Sequence, residues 1–230
     1  MSIILAIETS ADLASAALMR EDELFVRESA GVQTHSQTIL PLVQQLLAEA
    51  GLRLKQCDAI AFGCGPGSFT GVRTACGIVQ GLAFGAGLPV VPVVTLHAMA
   101  EACHSEHGLT EVLSVLDARM GEVYWAQYRF DGLWREVLPP ALSRAQAVLP
   151  QGEVTACGNG LQAYAHDFAE RDFLAGALTA VVPHARDVAR LAQAMFASGA
   201  VIDARDAQPL YLRNKVALTT AERMQKAESV

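Results

Sequence analysis

Between Ala59 and Ala100 the chain carries one charged side chain, Arg73. A stretch that long without charge belongs either in a protein core or in a bilayer. Gly77, Gln80, Gly81, Gly85, Gly87, Pro89 and Pro92 interrupt it. They cut it into pieces shorter than the ~20 apolar residues that a spanning helix needs. The segment therefore reads as a buried strand over Ala59–Phe62, a glycine-rich turn over Gly63–Gly71, a helix to about Gly85, and a second strand over Val90–Val94. Strands joined by a helical crossover run parallel, because a tight turn can only reverse the chain. This segment commits the chain to an α/β fold.

The flanking sequence extends the pattern. Ile3–Ile7, Leu13–Met19 and Leu24–Glu28 are short strands separated by the polar turns Glu8-Thr9-Ser10-Ala11-Asp12 and Glu21-Asp22-Glu23, a three-strand meander. From His35 to Ala50 the apolar residues Ile39, Leu40, Val43, Leu46 and Leu47 fall at helical spacing, and Gly51 sits where a helix commonly stops. A helix from Leu96 to His107 closes the first half. The second half repeats the opening order. Val112–Leu116, Glu122–Phe130 and Leu133–Leu138 are strands, with Asp131-Gly132 as a hairpin turn. A short helix (Ser143–Leu149), a strand (Val154–Ala156), a helix (Leu161–Arg171), a strand (Leu178–Val182) and a helix (Arg186–Ser198) follow. The order of elements repeats although the residues do not. We expect two duplicated βββαβαβα lobes, residues 1–107 and residues 108–230 with the tail.

Composition narrows the function. Of the 230 residues, 52% are hydrophobic and 18% charged, which excludes a largely disordered chain. The net charge of −7 argues against an extended nucleic-acid surface, which needs clustered cations. Near the end, Arg213, Lys215, Arg223 and Lys226 are interleaved with Glu222 and Glu228 and read as a solvated tail. The five cysteines form no CxxC pair, so they read as free thiols of a reducing compartment. The N-terminus has no basic stretch of the signal-peptide kind. A cytoplasmic protein without membrane contact is expected.

Several residue groups carry candidate chemistry. Gly65, Gly67 and Gly71 follow a strand and open a helix, where backbone N–H groups can face a phosphate. The loop matches neither a Walker sequence, since Val72-Arg73 follows Gly71, nor a GxGxxG fingerprint. A phosphate loop and a tight glycine turn both remain open. Gly77, Gly81 and Gly85 recur at every fourth position of a helix, at a cost of about 1 kcal/mol each. Either that face lies on its own sheet or another chain comes close to it. His97, Glu101 and His104 share a helical face, yet no zinc-helix motif fits, and the face reads as solvated surface. Asp117-Ala118-Arg119 at a strand end is a substrate contact or a local ion pair. Glu8 and Asp12 are the carboxylates a magnesium ion would use.

Ile4-Leu5-Ala6-Ile7-Glu8-Thr9-Ser10 resembles the first strand and turn of the actin/Hsp70/sugar-kinase (ASKHA) superfamily. Together with His35-Ser36-Gln37, Gly65-Pro66-Gly67-Ser68-Phe69-Thr70-Gly71-Val72-Arg73 and Tyr211-Leu212-Arg213, it resembles more narrowly the TsaB (YeaZ) family, over nearly the whole chain to about Leu218. The resemblance implies a non-catalytic cytoplasmic subunit without cofactor or metal. It would be required for threonylcarbamoyl transfer to adenosine 37 of tRNAs that read codons beginning with A. It implies a direct heterodimer with TsaD, a larger complex with TsaE, a homodimer when alone, and only indirect contact with tRNA. Catalytic TsaD relatives carry a metal-binding His-x-x-x-His, and Leu96 and Ala100 stand at the corresponding positions.

The first two helices are consecutive crossovers and belong on one side of the sheet. The resemblance points to them as the partner surface, with His35, Ile39, Leu42, Val43, Leu46, Thr70, Arg73, Gly77 and Gly81 as contact residues. Thr9, Ser10, Gly65, Gly67 and Ser68 form the candidate phosphate loop. The competing class is a free-standing ASKHA enzyme, a small-molecule kinase or a glycopeptidase-like metallopeptidase.

Overall fold

The computed structural model describes residues 2–29 and 35–213. Strand β1 (Ile3–Glu8) organises the first sheet. It pairs antiparallel with β2 (Ala14–Arg20) and parallel with β4 (Ala59–Gly65). Strands β3 (Glu23–Ser29) and β5 (Val90–Val94) extend it on either side, giving the order β3-β2-β1-β4-β5. All seven residues of β4 are buried, which explains its unbroken apolar sequence: a central parallel strand is covered on both faces.

Two helices, α1 (His35–Glu49) and α2 (Phe69–Ala86), cover one face and share a core with Leu5, Ile7, Leu18, Ile60 and Phe62. This agrees with the expected placement of both crossovers on one side. The opposite face consists largely of Ala6, Ala17, Ala59, Ala61, Val91 and Val93. Those short side chains let helix α6 (Ala185–Ala197) lie close to the sheet. Its N-terminus is held by His184, whose Nδ1 accepts from the Arg186 N–H at 3.0 Å. The proton of that ring is therefore on Nε2, which donates to Glu28 on β3 at 3.0 Å. Helix α3 (Thr95–His107) lies between the lobes, packing Leu96, Met99, Ala100 and Cys103 against Val112, Leu116 and Tyr124.

The second sheet contains β6 (Glu111–Arg119), β7 (Glu122–Phe130), β8 (Trp134–Arg144) and β9 (Thr155–Cys157) in the order β8-β7-β6-β9. In both sheets the first strand of a meander pairs parallel with the fourth strand. This is the duplicated ASKHA arrangement expected from the sequence.

The repeat is less complete than expected in the second lobe. Strand β8 runs on to Arg144 because Glu122 and Val123 pair with Arg144 and Ser143. The expected helix at Ser143–Leu149 is reduced to a single 3-10 turn, Ala145–Ala147. The expected helix Leu161–Arg171 is broken at Tyr164 (φ −124, ψ 38) into α4 (Gly160–Ala163) and α5 (Ala165–Phe168). In place of a fifth strand over Leu178–Val182 one bridge joins Leu178 to Cys157, since β9, only three residues long, offers little edge. Helix α6 comes from the second half of the sequence but covers the first sheet. The mixed-charge tail beyond Arg213, including Lys215, Glu222, Arg223, Lys226 and Glu228, lies outside the described residues.

The glycines divide into two groups. A Cβ on Gly67 would lie 2.7 Å from the Ser10 carbonyl oxygen, and one on Gly71 would lie 1.9 Å from that of Thr9. Backbone meets backbone there, and neither can yield. At Gly77, Gly81 and Gly85 nothing lies within 4 Å, so these three do not serve packing on the chain's own sheet. Gly71→Ala is expected to cost about 3 kcal/mol or more. Gly81→Ala, measured at concentrations where the chain is monomeric, is expected to gain up to about 1 kcal/mol from helix propensity. Denaturant unfolding of the two variants checks both signs.

Candidate functional site

The turn after β1 is locked in place by its own side chains. The Glu8 carboxyl is fully buried, and its Oε1 accepts the Ser10 N–H. The Thr9 hydroxyl donates to the Gly71 carbonyl at 2.8 Å, and the Ser68 N–H donates to the Ser10 carbonyl at 2.7 Å. Burial raises the Glu8 pKa above the carboxylate range, against the lowering effect of its hydrogen bonds. Glu8 Oε2 completes no hydrogen bond among the described residues. The Ser10 hydroxyl, itself shut off from solvent, faces this carboxyl and contributes to that lowering.

The candidate phosphate loop is consequently split. Thr9 and Gly65 are enclosed, while Ser10, Gly67 and Ser68 line a cleft of about 320 Å³ between the lobes. Ser68 caps α2, its Oγ accepting from the Gly71 N–H. Glu8, offered by the sequence as a magnesium ligand, faces inward and cannot serve one. Asp12 is exposed at the rim.

The opposite wall belongs to the second lobe. Asp117 is almost enclosed: it pairs with Arg119 at 3.0 Å and accepts from the Tyr164 hydroxyl at 3.0 Å. Of the two sequence readings of Asp117-Ala118-Arg119, the local ion pair forms, and the three residues also line the cleft. Tyr124 and Asn159 also line it, and the sequence analysis missed both. Asn159 Oδ1 accepts from the Asp117 N–H. The signal for Asn159 was the internal repeat. Gly158-Asn159-Gly160 is the second lobe's glycine turn, and a Cβ on Gly158 would lie 2.2 Å from the Val115 carbonyl oxygen of β6, just as Gly71 meets Thr9 after β1.

Residues 207–213 tie the lobes together beside this cleft. Gln80 donates to the Ala207 carbonyl at 2.9 Å, and the Leu210 N–H donates to the Cys64 carbonyl at 2.7 Å. Arg73 donates to the Tyr211 hydroxyl at 2.7 Å while its guanidinium stacks 3.6 Å above the Phe69 ring. Arg213 reaches the second lobe, pairing with Glu122 at 2.6 Å. Two motifs far apart in sequence, around Phe69-Arg73 and at Tyr211-Leu212-Arg213, thus meet in one cluster.

The expected partner surface needs a correction. Ile39, Leu42, Val43 and Leu46 are buried against this chain's own sheet, so they cannot form an outer face. The stripe looked too wide because α1 packs on both the sheet and α2. Leu40, Gln44, Gln45 and Ala48 are among the outward residues of α1. His35 is half-buried, with Nε2 3.2 Å from the Asp12 carbonyl oxygen. Thr70, Arg73, Gly77 and Gly81 are exposed on α2, beside Phe84 at 83% exposure.

The His97, Glu101 and His104 face is not the solvated surface expected. Trp134 of β8 covers it, donating to Glu101 at 2.7 Å. His97 stacks on Tyr128 and His104 packs on Phe130. Burial pushes His97 down to about 4. Among the described residues no group of three His, Cys, Asp or Glu side chains is placed to hold a metal ion. No helix among them is long and apolar enough to cross a membrane. All five cysteines are buried free thiols.

Residues 25–229 match the model of the family described as TsaD: tRNA N6-adenosine threonylcarbamoyltransferase. The tRNA threonylcarbamoyladenosine biosynthesis protein TsaB of Escherichia coli (strain K12) is 40% identical over 221 residues, 93% of this chain and 96% of that protein. The protein of the same name from Haemophilus influenzae is 40% identical over 225 residues, 93% of this chain and 94% of that one. The solved structure of YeaZ from Pseudomonas aeruginosa is similar with a TM-score of 0.85 at 39% identity, covering 92% of this chain and 100% of that chain. A second structure from that organism, described as similar to peptidase YeaZ, gives a TM-score of 0.86.

The enclosure of Glu8 has a measurable consequence. Its raised pKa means that the folded protein holds this proton more tightly than the unfolded chain. The stability so contributed is fully present below the ordinary carboxylate pKa and is lost as pH rises through the raised value. Glu8→Gln removes this titration. The melting temperature of the variant minus that of the parent is expected to increase from about pH 4 toward neutrality. A difference that stays flat or falls would contradict the burial.

Proposed function

The chain belongs to the TsaB (YeaZ) family, and on that footing we propose that it is the non-catalytic subunit needed for threonylcarbamoyl transfer to adenosine 37 of tRNAs that read codons beginning with A. It acts by binding TsaD and keeping it active, in a larger assembly that also involves TsaE. It works in the cytoplasm, without a cofactor of its own, and contacts tRNA only indirectly. Residues 1–107 form the lobe that carries the partner interface, and residues 108–230 form the second lobe and tail.

One observation carries the interface reading. The Gly77, Gly81 and Gly85 face of α2 is exposed, with nothing within 4 Å of the space a Cβ would take. Three helical glycines cost about 1 kcal/mol each, and on this face the monomer gains no packing in return. A second helix backbone seated there would offset that cost. Thr70 and Arg73 lie on the same helix, and Phe84 stands beside the glycines with 83% of its surface in solvent. The outward side of α1 completes the surface with Leu40, Gln44 and Ala48. The same face pairs two copies of this chain when TsaD is absent, so homodimer and heterodimer compete.

The enclosure of Glu8 counts against a free-standing kinase. The complete burial of Leu96 and Ala100 counts against a metallopeptidase built on those two positions.

Gly81→Leu separates interface from fold. The position is open in the monomer, so the variant is expected to melt within a few degrees of the parent. Its association with TsaD, followed by analytical ultracentrifugation, is expected to weaken at least tenfold, about 1.4 kcal/mol. The threonylcarbamoyladenosine content of tRNA is expected to fall in cells where this variant replaces the parent. A well-folded Gly81→Leu chain that binds TsaD as tightly as the parent would overturn the interface.

A further inference from the structure

The outer side of the first lobe has a charge pattern at odds with the rest of the chain. The net charge is −7, yet residues 35–86 hold only two carboxylates, Glu49 and Asp58, against Arg53, Lys55 and Arg73. Both carboxylates are engaged away from these cations. Glu49 pairs with Arg27 of β3 at 2.6 Å, and Asp58 accepts the Ile3 N–H at 2.7 Å. The three cations are exposed. Arg53 lies 3.4 Å from the Gln56 amide oxygen and Arg73 donates to the Tyr211 hydroxyl, both neutral groups. Arg53 and Lys55 stand at the 3-10 turn Leu54–Gln56, where they line a groove of about 370 Å³ with Leu54, Gly81, Leu82 and Gly85.

The charge pattern decides what fits. The groove has an apolar floor and a cationic edge. A helix laid along α2 would set its apolar side on Leu54, Leu82 and the glycines, and its polar edge beside Arg53 and Lys55. Basic side chains at the edge of an interface are matched best by carboxylates on the partner. A second copy of this chain cannot supply them. A twofold contact sets a surface against itself, so the cations of this face meet a face whose own unpaired charges are cationic. Like charges brought within about 8 Å, the screening length at physiological salt, repel. Three separated cations on a partly apolar face are also too few for a nucleic-acid surface, which needs clustered positive charge.

We propose that the groove between the Leu54–Gln56 turn and α2 receives a partner helix carrying carboxylates opposite Arg53 and Lys55, and that this charge match selects the heterodimer over the homodimer. The proposal rests on the reading of the α2 face as the partner surface. It adds the chemistry that the partner must supply and the sign of the salt response. Salt weakens the heterodimer, whose charges attract, and strengthens the homodimer, whose charges repel.

Analytical ultracentrifugation of the full-length chain, alone and with TsaD, at about 50 mM and about 1 M NaCl tests both signs. Between these salt concentrations the heterodimer is expected to weaken about tenfold and the homodimer to tighten several-fold. At low salt the double variant Arg53→Gln, Lys55→Gln is expected to weaken the heterodimer and tighten the homodimer, several-fold each, whereas a merely disturbed fold would weaken both. The double variant Arg53→Glu, Lys55→Glu, with folding confirmed by thermal melting, is expected to bind TsaD at least about tenfold more weakly at low salt. Arg144→Glu, on β8 of the other lobe, is expected to bind as the parent does. The proposal fails if homodimer and heterodimer respond to salt in the same direction, or if the isolated chain gains no dimer at high salt. It fails alone if the double glutamate variant binds TsaD as tightly as the parent at low salt while Gly81→Leu does not bind. It also fails if an RNA hairpin binds the parent at about 50 mM NaCl and the double glutamate variant releases it. Tight TsaD binding by Gly81→Leu overturns the interface reading, and this proposal with it.

Discussion

The contact on which the rest of this structure depends is backbone against backbone, where the end of β1 meets the loop leaving β4. The Thr9 carbonyl oxygen occupies the space a Cβ of Gly71 would need, and the Ser10 carbonyl accepts the Ser68 N–H. Side chains would hold the two segments apart, so glycine there is a steric requirement of the approach. The approach fixes where α2 begins, and α2 in turn fixes one wall of the cleft and one outer face of the lobe. Beneath it the Glu8 carboxyl is sealed from water. The backbone of this glycine turn is largely consumed by internal contacts.

The second lobe repeats the device with fewer residues. Gly158 and Gly160 press on β6, and Asn159 holds the Asp117 backbone. The two turns face each other across the cleft, as a duplicated fold requires. The lobes are then bound by elements that ignore the duplication. Helix α6 leaves the second half to cover the first sheet, and residues 207–213 run from α2 to Glu122. Chain connectivity and spatial neighbourhood therefore diverge after the second sheet. An order of elements repeated along the sequence cannot reveal that divergence.

The two faces of the first helix pair show how burial sorts residues that look alike. In α1 the apolar set Ile39, Leu42, Val43 and Leu46 is spent entirely on the core. In α2 the buried set Val72, Ala75, Cys76, Val79 and Ala83 does the same work, which leaves the glycines on the outside. From sequence alone both stripes suggested a partner surface. The distinction depends on the rotation of each helix about its axis, which packing against the sheet sets. The same reason hid the seam at His97, Glu101 and His104: Trp134 comes from a strand more than thirty positions away on average and turns an apparently solvated face into an aromatic contact.

The sequence by itself determined the α/β class, the order of the first seven elements and the family, because each rests on local signals. Apolar periodicity marks strands and helices, glycine marks tight turns, and contiguous motifs around Ser68 and Tyr211 mark the family. Only the tertiary structure decided which glycines are steric necessities and which lie open, and that Glu8 is enclosed. It also decided that Asn159 and Tyr124 complete a cleft with Ser10, and that Arg73 meets Tyr211. Each of these depends on distances between residues far apart in the chain, and those distances are set by how the sheets and helices close on one another. A pattern read along one dimension carries no record of them.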